Sequence, residues 1–236
     1  MDDAIQDILR NAALYTVPFL FSISVHEMAH AWMAGKKGDL TGRMLGRMTL
    51  NPIAHIDPLG SIVFPLLCLL FGGSLFGWAK PVPVNAANLK SPRRDMALVA
   101  LAGPLSNLFL ACVFLLLLAL GAVSGLLTNE KAGFWPVGAM LARGILLNLF
   151  LGFFNLLPIS PLDGARVSVG LLPPPLSNVA RAIAPYGAPF LIMLWISGLT
   201  GFLVYPVMGF LNGLLSLVGA LFSMNLHSVF HALMNV

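Results

Sequence analysis

Six apolar runs dominate this sequence, at about residues 11–34, 59–78, 96–123, 139–162, 183–203 and 205–224. A helix needs roughly 20 predominantly apolar residues to cross a bilayer. Repetition of such runs excludes an ordinary soluble fold, and the charge content agrees. Only 9% of the residues are charged, 13 Lys plus Arg against 9 Asp plus Glu, where a soluble domain carries about 25%. A cytosolic enzyme, a disordered chain and a nucleic-acid binder are therefore excluded. The net charge of +4 does not imply a DNA partner, because the basic residues cluster beside apolar runs, as membrane topology produces. No hydrophilic stretch is long enough for a soluble domain. One membrane-embedded domain over residues 1–236 is expected.

The basic residues set the expected topology. Lys36, Lys37, Arg43 and Arg47 follow the first run, and Lys80, Lys90, Arg93 and Arg94 follow the second. The positive-inside rule puts both loops in the cytoplasm, which requires that residues 59–78 do not cross. That run contains Pro65, Gly72, Gly73 and Gly77 and leads into WAKPVPVN. A re-entrant segment with a short β-strand or hairpin fits this composition, since irregular backbone is tolerated where protein or a wet cavity covers it. A plain second transmembrane helix is the alternative. The expected fold class is thus an all-α polytopic membrane protein of about five transmembrane helices plus that re-entrant segment. Its catalytic core would span about 11–170 and a C-terminal helical hairpin about 183–224. The acidic start, MDDAIQDILR, lacks the positive region of a signal peptide, so the first run is expected to be retained. Cys68 and Cys112 have no CxxC partner, which argues against a disulfide framework or a thiolate zinc site.

The first run contains His26-Glu27-Met28-Ala29-His30. In a helix, residues i and i+4 share a face, so His26 and His30 can bind one metal ion together. In HExxH hydrolases the intervening glutamate, here Glu27, is the general base. A central ionisable residue in a membrane helix costs about 2.5–3.5 kcal/mol on insertion scales, so this cluster calls for a compensating role. A catalytic zinc usually takes three protein ligands, and the third must come from elsewhere. Asp163 is a candidate, in Asn155-Leu-Leu-Pro158-Ile-Ser-Pro161-Leu162-Asp163-Gly164. Pro158 and Pro161 break regular helix hydrogen bonding and Gly164 permits a sharp turn. Such a segment can turn a carboxylate toward a partner helix, or the aspartate can merely cap the end of its own.

FSISVHEMAH together with NLLPISPLDG resembles the site-2 proteases, the intramembrane zinc metalloproteases, whose pattern is HExxH in one helix and NxxPxxxLDG in another. RMTLNPIAHIDPLGS, GWAKPVPVN and GPLSN resemble the compact bacterial branch without PDZ or CBS domains. The likeness covers most of residues 20–170. It implies one catalytic zinc ion held by His26, His30 and Asp163, and water activated by Glu27. It implies that Asn155 lies near the metal and positions or polarises the scissile carbonyl. It also implies that Asn107 borders the active site or the substrate path, although an interhelical hydrogen bond is the simpler use of that residue.

A peptide bond inside a substrate helix is shielded until the helix unwinds. Lys80-Pro81-Val82-Pro83-Val84-Asn85 is either a strand edge or a Pro-rich turn. As a strand, its two prolines remove donors from the opposite edge, and the Val82 and Val84 amides can pair with an unwound substrate by strand addition. His55, in NPIAHIDP, is expected to be a loop residue that helps order the re-entrant region. His227 and His231 share i, i+4 spacing but lack an intervening glutamate, and read as one face of an interfacial helix.

The expected function is an intramembrane zinc endopeptidase acting on transmembrane proteins, in the cell membrane and with its active site toward the cytoplasm. The lipid bilayer is the expected surrounding partner. A membrane metal transporter or sensor using the same His/His/Asp site is the alternative. Glu27 discriminates between the two, because transport needs no general base beside the first ligand.

Overall fold

The computed structural model describes residues 2–63, 66, 67, 70, 78–128, 133–197 and 201–235. Among these residues the chain is helical and contains no strand. We label its longer helices α1 (Asp2–Lys37), α2 (Pro92–Val123), α3 (Trp135–Asn155), α4 (Asp163–Leu171), α5 (Pro174–Ile183), α6 (Gly187–Ile196), α7 (Gly201–Leu221) and α8 (Leu226–Met234).

Three described segments are long and apolar enough to cross a membrane: Pro92–Val123, Trp135–Asn155 and Val204–Leu221. These three are found among the described residues alone, where about five were expected over the whole chain. At 36 residues α1 has ample length, but His26, Glu27 and His30 interrupt its apolar stretch. Within the run expected at 183–203 the described residues form a 3-10 turn, Ala184–Tyr186, then α6 and, from Gly201, the start of α7, with 198–200 outside the described residues. Ten residues of helix rise only about 15 Å, half of the hydrocarbon thickness.

The burial pattern carries the membrane signature. On α2 the buried positions include Ala97, Ala100, Gly103, Ala111 and Ala119, and the exposed ones include Leu105, Phe109, Leu116, Leu117 and Leu120. On α3 the buried set includes Gly138, Ala139, Ala142, Gly144 and Gly152. Small residues turned inward and large apolar residues outward suit helices that pack closely while facing lipid. α1, α2 and α3 pack against one another, and α4 packs along α2. α7 and α8 close the far side, where Leu211, Leu215, Leu226 and Phe230 join Leu115, Leu118, Ile145 and Leu149 in one core.

Arg143 is buried in the middle of α3. Its guanidinium donates to Leu233 O at 2.9 Å and lies over the Tyr15 ring at 5.0 Å. The last carbonyls of a helix are its negative end, so α8 supplies much of what a buried cation needs.

The loops between α1 and α2 determine where the site sits. The run expected at 59–78 lies largely outside the described residues, including Pro65, Cys68, Gly72, Gly73 and Gly77. Its two ends meet. Trp78 N–H donates to Gly60 O at 3.0 Å, Ser61 Oγ donates to Trp78 O at 2.8 Å, and Lys80 N–H donates to His55 O at 2.9 Å. His55 is fully buried on the 3-10 turn Pro52–His55. Residues 80–85, expected as a strand edge or a Pro-rich turn, form no regular element and no strand pairing.

The two basic segments sit at one end of the bundle. Lys90 N–H donates to Lys37 O at 3.3 Å, and Lys37 Nζ lies 3.6 Å from Asp95 Oδ1. Asp39 binds the segment after Pro81 to the end of α1. It accepts from Thr41 N–H (3.1 Å), Thr41 Oγ1 (2.5 Å), Asn85 N–H (2.7 Å) and Asn88 Nδ2 (2.9 Å). Burial opposes ionisation of Asp39, but these hydrogen bonds outweigh it and hold its carboxyl below the usual carboxylate range.

A group whose pKa is lowered on folding stabilises the fold above its unfolded value, and that stabilisation is lost as the pH falls through the folded value. Hydrogen-exchange protection of the Thr41 and Asn85 amides, corrected for intrinsic rates, should hold steady above about pH 4 and disappear only on further acidification. Asp39→Ala should abolish it at every pH.

Candidate metal centre

His26 and His30 lie one helical turn apart on α1, and their Nε2 atoms are 3.0 Å from each other. Asp163, the first residue of α4, brings Oδ2 to 3.1 Å from His26 Nε2 and 3.2 Å from His30 Nε2. All three residues are about 8% exposed. Among the described residues this is the one group of His, Cys, Asp or Glu side chains that can hold a metal ion, and His227 and His231 form no part of it. Ligand atoms around a tetrahedral zinc, with bonds of about 2.0–2.1 Å, lie roughly 3.3 Å apart. The observed triangle is close to that size, and two imidazoles with one carboxylate are a normal zinc donor set. The residues fit the ion.

The orientation of both imidazoles is fixed from behind. His30 Nδ1–H donates to Val99 O at 2.7 Å. A backbone carbonyl can only accept, so Nδ1 carries the proton and Nε2 presents its lone pair inward. His26 is fixed through a longer chain. Asn148 Nδ2 donates to Gly144 O (2.8 Å) and to Ser22 Oγ (2.7 Å), which turns Asn148 Oδ1 toward Asn107. Asn107 Nδ2 donates to that oxygen at 2.8 Å and to Ser22 O at 3.4 Å. Asn107 Oδ1 is thereby left facing His26 Nδ1, 2.5 Å away. The backbone carbonyl at Gly144 thus sets the tautomer of a ligand two side chains distant. Outer partners of this kind orient ligands and raise their basicity.

The resemblance puts Asn107 at the border of the active site or the substrate path, and an interhelical hydrogen bond is its simpler use. Here it buttresses His26 from the centre of the bundle, fully buried. Asn148 and Ser22 were missed. The available signal was a polar amide in the middle of an apolar run, which seldom occurs without a partner helix to satisfy it.

Two glycines make the geometry possible. A Cβ on Gly103 would overlap both imidazoles, so α2 approaches the ligands only because that position has no side chain. A Cβ on Gly164 would overlap the carbonyls of Leu156 and Leu157. The Leu-Asp-Gly turn therefore folds tightly onto the end of α3, and this carries Asp163 inward.

Glu27 is 9% exposed, and its Oε2 accepts the Val82 N–H at 2.8 Å. Val82 is buried and Val84 half-buried. Asn155 is the last residue of α3, and its Nδ2 donates to Leu151 O on its own helix at 3.0 Å. An apolar cavity of about 250 Å³ adjoins the Pro158–Ser160 turn, between it and the residues around Ile183 and Phe190.

The sequence profile of peptidase family M50 matches residues 14–133. YwhC of Bacillus subtilis, named as a candidate zinc metalloprotease, is 39% identical over 194 residues, 81% of this chain and 84% of that protein. Rip2 of Mycolicibacterium smegmatis, named likewise, is 35% identical over 179 residues, 71% of this chain and 59% of its own length. Rip2 of Mycobacterium tuberculosis is 34% identical over 187 residues, 76% of this chain and 65% of its own length. No solved structure matches the chain.

Two substitutions test the centre by metal content. Asn107→Ala should weaken zinc binding about 10–100-fold, read by competition with a chromophoric chelator. Gly103→Ala should abolish stoichiometric zinc, measured by elemental analysis of the purified protein.

Proposed function

This chain belongs to peptidase family M50, the site-2 protease group of intramembrane zinc metalloproteases, and we propose that it cleaves transmembrane proteins within or near their membrane-spanning segments. It is a zinc metalloprotease and a membrane protein. The convergence of His26, His30 and Asp163 within 3.2 Å beside a buried glutamate is the observation that carries the proposal.

His26 Nε2, His30 Nε2 and Asp163 Oδ2 would hold the ion. When bound, zinc would supply Lewis acidity, lowering the pKa of water to near 7 and polarising the carbonyl under attack. Glu27 takes the proton of the attacking water and delivers it to the leaving amine as the C–N bond breaks. Asn155 takes the role of a polar group near the scissile carbonyl. That role requires its side chain to swing from Leu151 O toward the substrate. Asn107 keeps His26 in the correct tautomer throughout. The Val82 N–H is taken by Glu27 Oε2, so on the Val82–Val84 edge the Val84 end receives the unwound substrate by strand addition.

The same reading places the chain in the cell membrane as one embedded domain, with about five crossings and with the active site toward the cytoplasm. Its catalytic core covers about 11–170, and the hairpin about 183–224. Residues 59–78 dip into the membrane and return. The hydrogen bonds joining Gly60 to Trp78 and Lys37 to Lys90 support that course, because they put the flanking basic segments at one end of the bundle. Positive charge concentrated there favours the cytoplasmic side. A transporter or sensor built on the same ligands is not favoured, since it has no use for Glu27.

Glu27→Gln keeps the shape of the side chain and removes the base. With a single-span model substrate in reconstituted bilayers, it should retain one zinc per chain and lose at least about 100-fold in kcat. Equal cleavage by wild type and variant would overturn the assignment.

A further inference from the structure

We propose that the backbone N–H of Val82 is a positioning group for the general base: it fixes Glu27 by Oε2 and leaves Oε1 to receive the proton of water. The inference rests on the assignment of Glu27 as that base.

The sequence makes Val82 special. Pro81 and Pro83 carry no N–H, so Val82 is the single backbone donor between Lys80 and Val84. The structure aims that donor, at 2.8 Å, at the one side chain that must move a proton. A hydrogen bond to an ionised carboxylate is shorter and stronger than a neutral one, and both partners are 9% exposed, which spares the bond from competition with water.

The support for the donor is rigid. Each proline fixes its own φ and restricts the residue before it. The segment is tied on one side by Lys80 N–H to His55 O at 2.9 Å and on the other by Asn85 N–H to Asp39 Oδ2 at 2.7 Å. The Val82 side chain packs against Gly42, where a Cβ would come within 2.9 Å of Val82 Cγ1. A glutamate has three side-chain torsions, and this donor removes much of their freedom before any substrate arrives. A misplacement of 1 Å in a catalytic group can cost about 100-fold in rate.

The arrangement also divides labour along the edge. Val82 and Val84 present their N–H groups on the same side of extended backbone. Val82 spends its donor on Glu27, so pairing with substrate falls to Val84. One short segment then holds the base and receives the substrate, and the two are kept in fixed relation.

The test separates kcat from KM in the full-length, zinc-loaded protein in bilayers, with a single-span model peptide as substrate. Val82→Pro deletes the N–H, and Val82→Ala keeps it. Val82→Pro should lower kcat about 10–100-fold with KM within about twofold. Zinc stoichiometry should be unchanged, as should the Kd of the same peptide for the zinc-free protein. Val82→Ala should restore kcat to within about twofold of wild type. Val84→Pro should instead raise KM and weaken peptide binding. If Val82→Pro misfolds, replacing Val82 by α-hydroxyvaline turns the amide into an ester, removes the same hydrogen and keeps the side chain. A rise in KM at constant kcat would assign Val82 to the substrate and overturn the proposal. Unchanged kinetics, or loss of zinc, would overturn it too. Failure of the protease reading itself would look different, since wild type and Glu27→Gln would then behave alike.

Discussion

A buried polar atom in an apolar bundle must find a partner inside the protein, and this requirement organises the molecule. Lipid offers no hydrogen bonds, and an unsatisfied group costs several kcal/mol. The two histidines on α1 bring four ring nitrogens into such a setting. Two of them face Asp163, and the other two are answered by Val99 O and Asn107. Asn107 creates a further demand, met by Asn148 and Ser22, and Asn148 is met in turn by Gly144 O. The chain of obligations runs through α1, α2 and α3 and ends on backbone carbonyls, which cannot be reoriented. The catalytic geometry and the packing of three helices are therefore a single structure.

Close approach is the second condition. Hydrogen bonds of 2.5–2.8 Å between side chains on different helices need backbones that come near one another. The alanines and glycines facing inward on α2 and α3 supply that proximity. Leucines at those positions would bury more apolar area, but area has little value where lipid already surrounds it. Gly103 is the extreme case, since the ligands themselves occupy the space where its side chain would stand.

These two conditions explain what could be read from the sequence. HEMAH was legible because metal ligation on a helix imposes a spacing, and spacing survives in one dimension. The Asp163 turn was legible because two prolines and a glycine mark where regular helix must stop. The sequence left Asn107 open between an interhelical hydrogen bond and the substrate path, because both uses require the same amide and only the direction of its carbonyl separates them. Asn148 and Ser22 escaped for a related reason: each is one polar residue among apolar neighbours, and the meaning lies in a contact 41 or 126 residues away. The number of crossings was the least legible feature, because hydropathy is additive along a run and does not register local breaks. Within the apolar run at 183–203 the described residues form a 3-10 turn, Ala184–Tyr186, and a helix, Gly187–Ile196. Residues 80–85 were open between a strand edge and a turn; they form no regular element, and the Val82 N–H serves a side chain of this chain instead of a second strand.

Charge balance accounts for the composition of the centre. Around a bound divalent ion, two imidazole donors would add no charge, and the carboxylates of Asp163 and Glu27 would add two negative charges. Two negative charges match one divalent cation, so the loaded centre is neutral overall. In a medium of low dielectric a net charge is expensive while a compact neutral cluster is not. A second carboxylate ligand in place of a histidine would break that balance, and a third histidine in place of Asp163 would leave the centre positive. The donor set of two imidazoles and one carboxylate, with one further carboxylate held by a backbone amide, is the composition that lets a hydrolytic zinc site sit inside helices facing lipid.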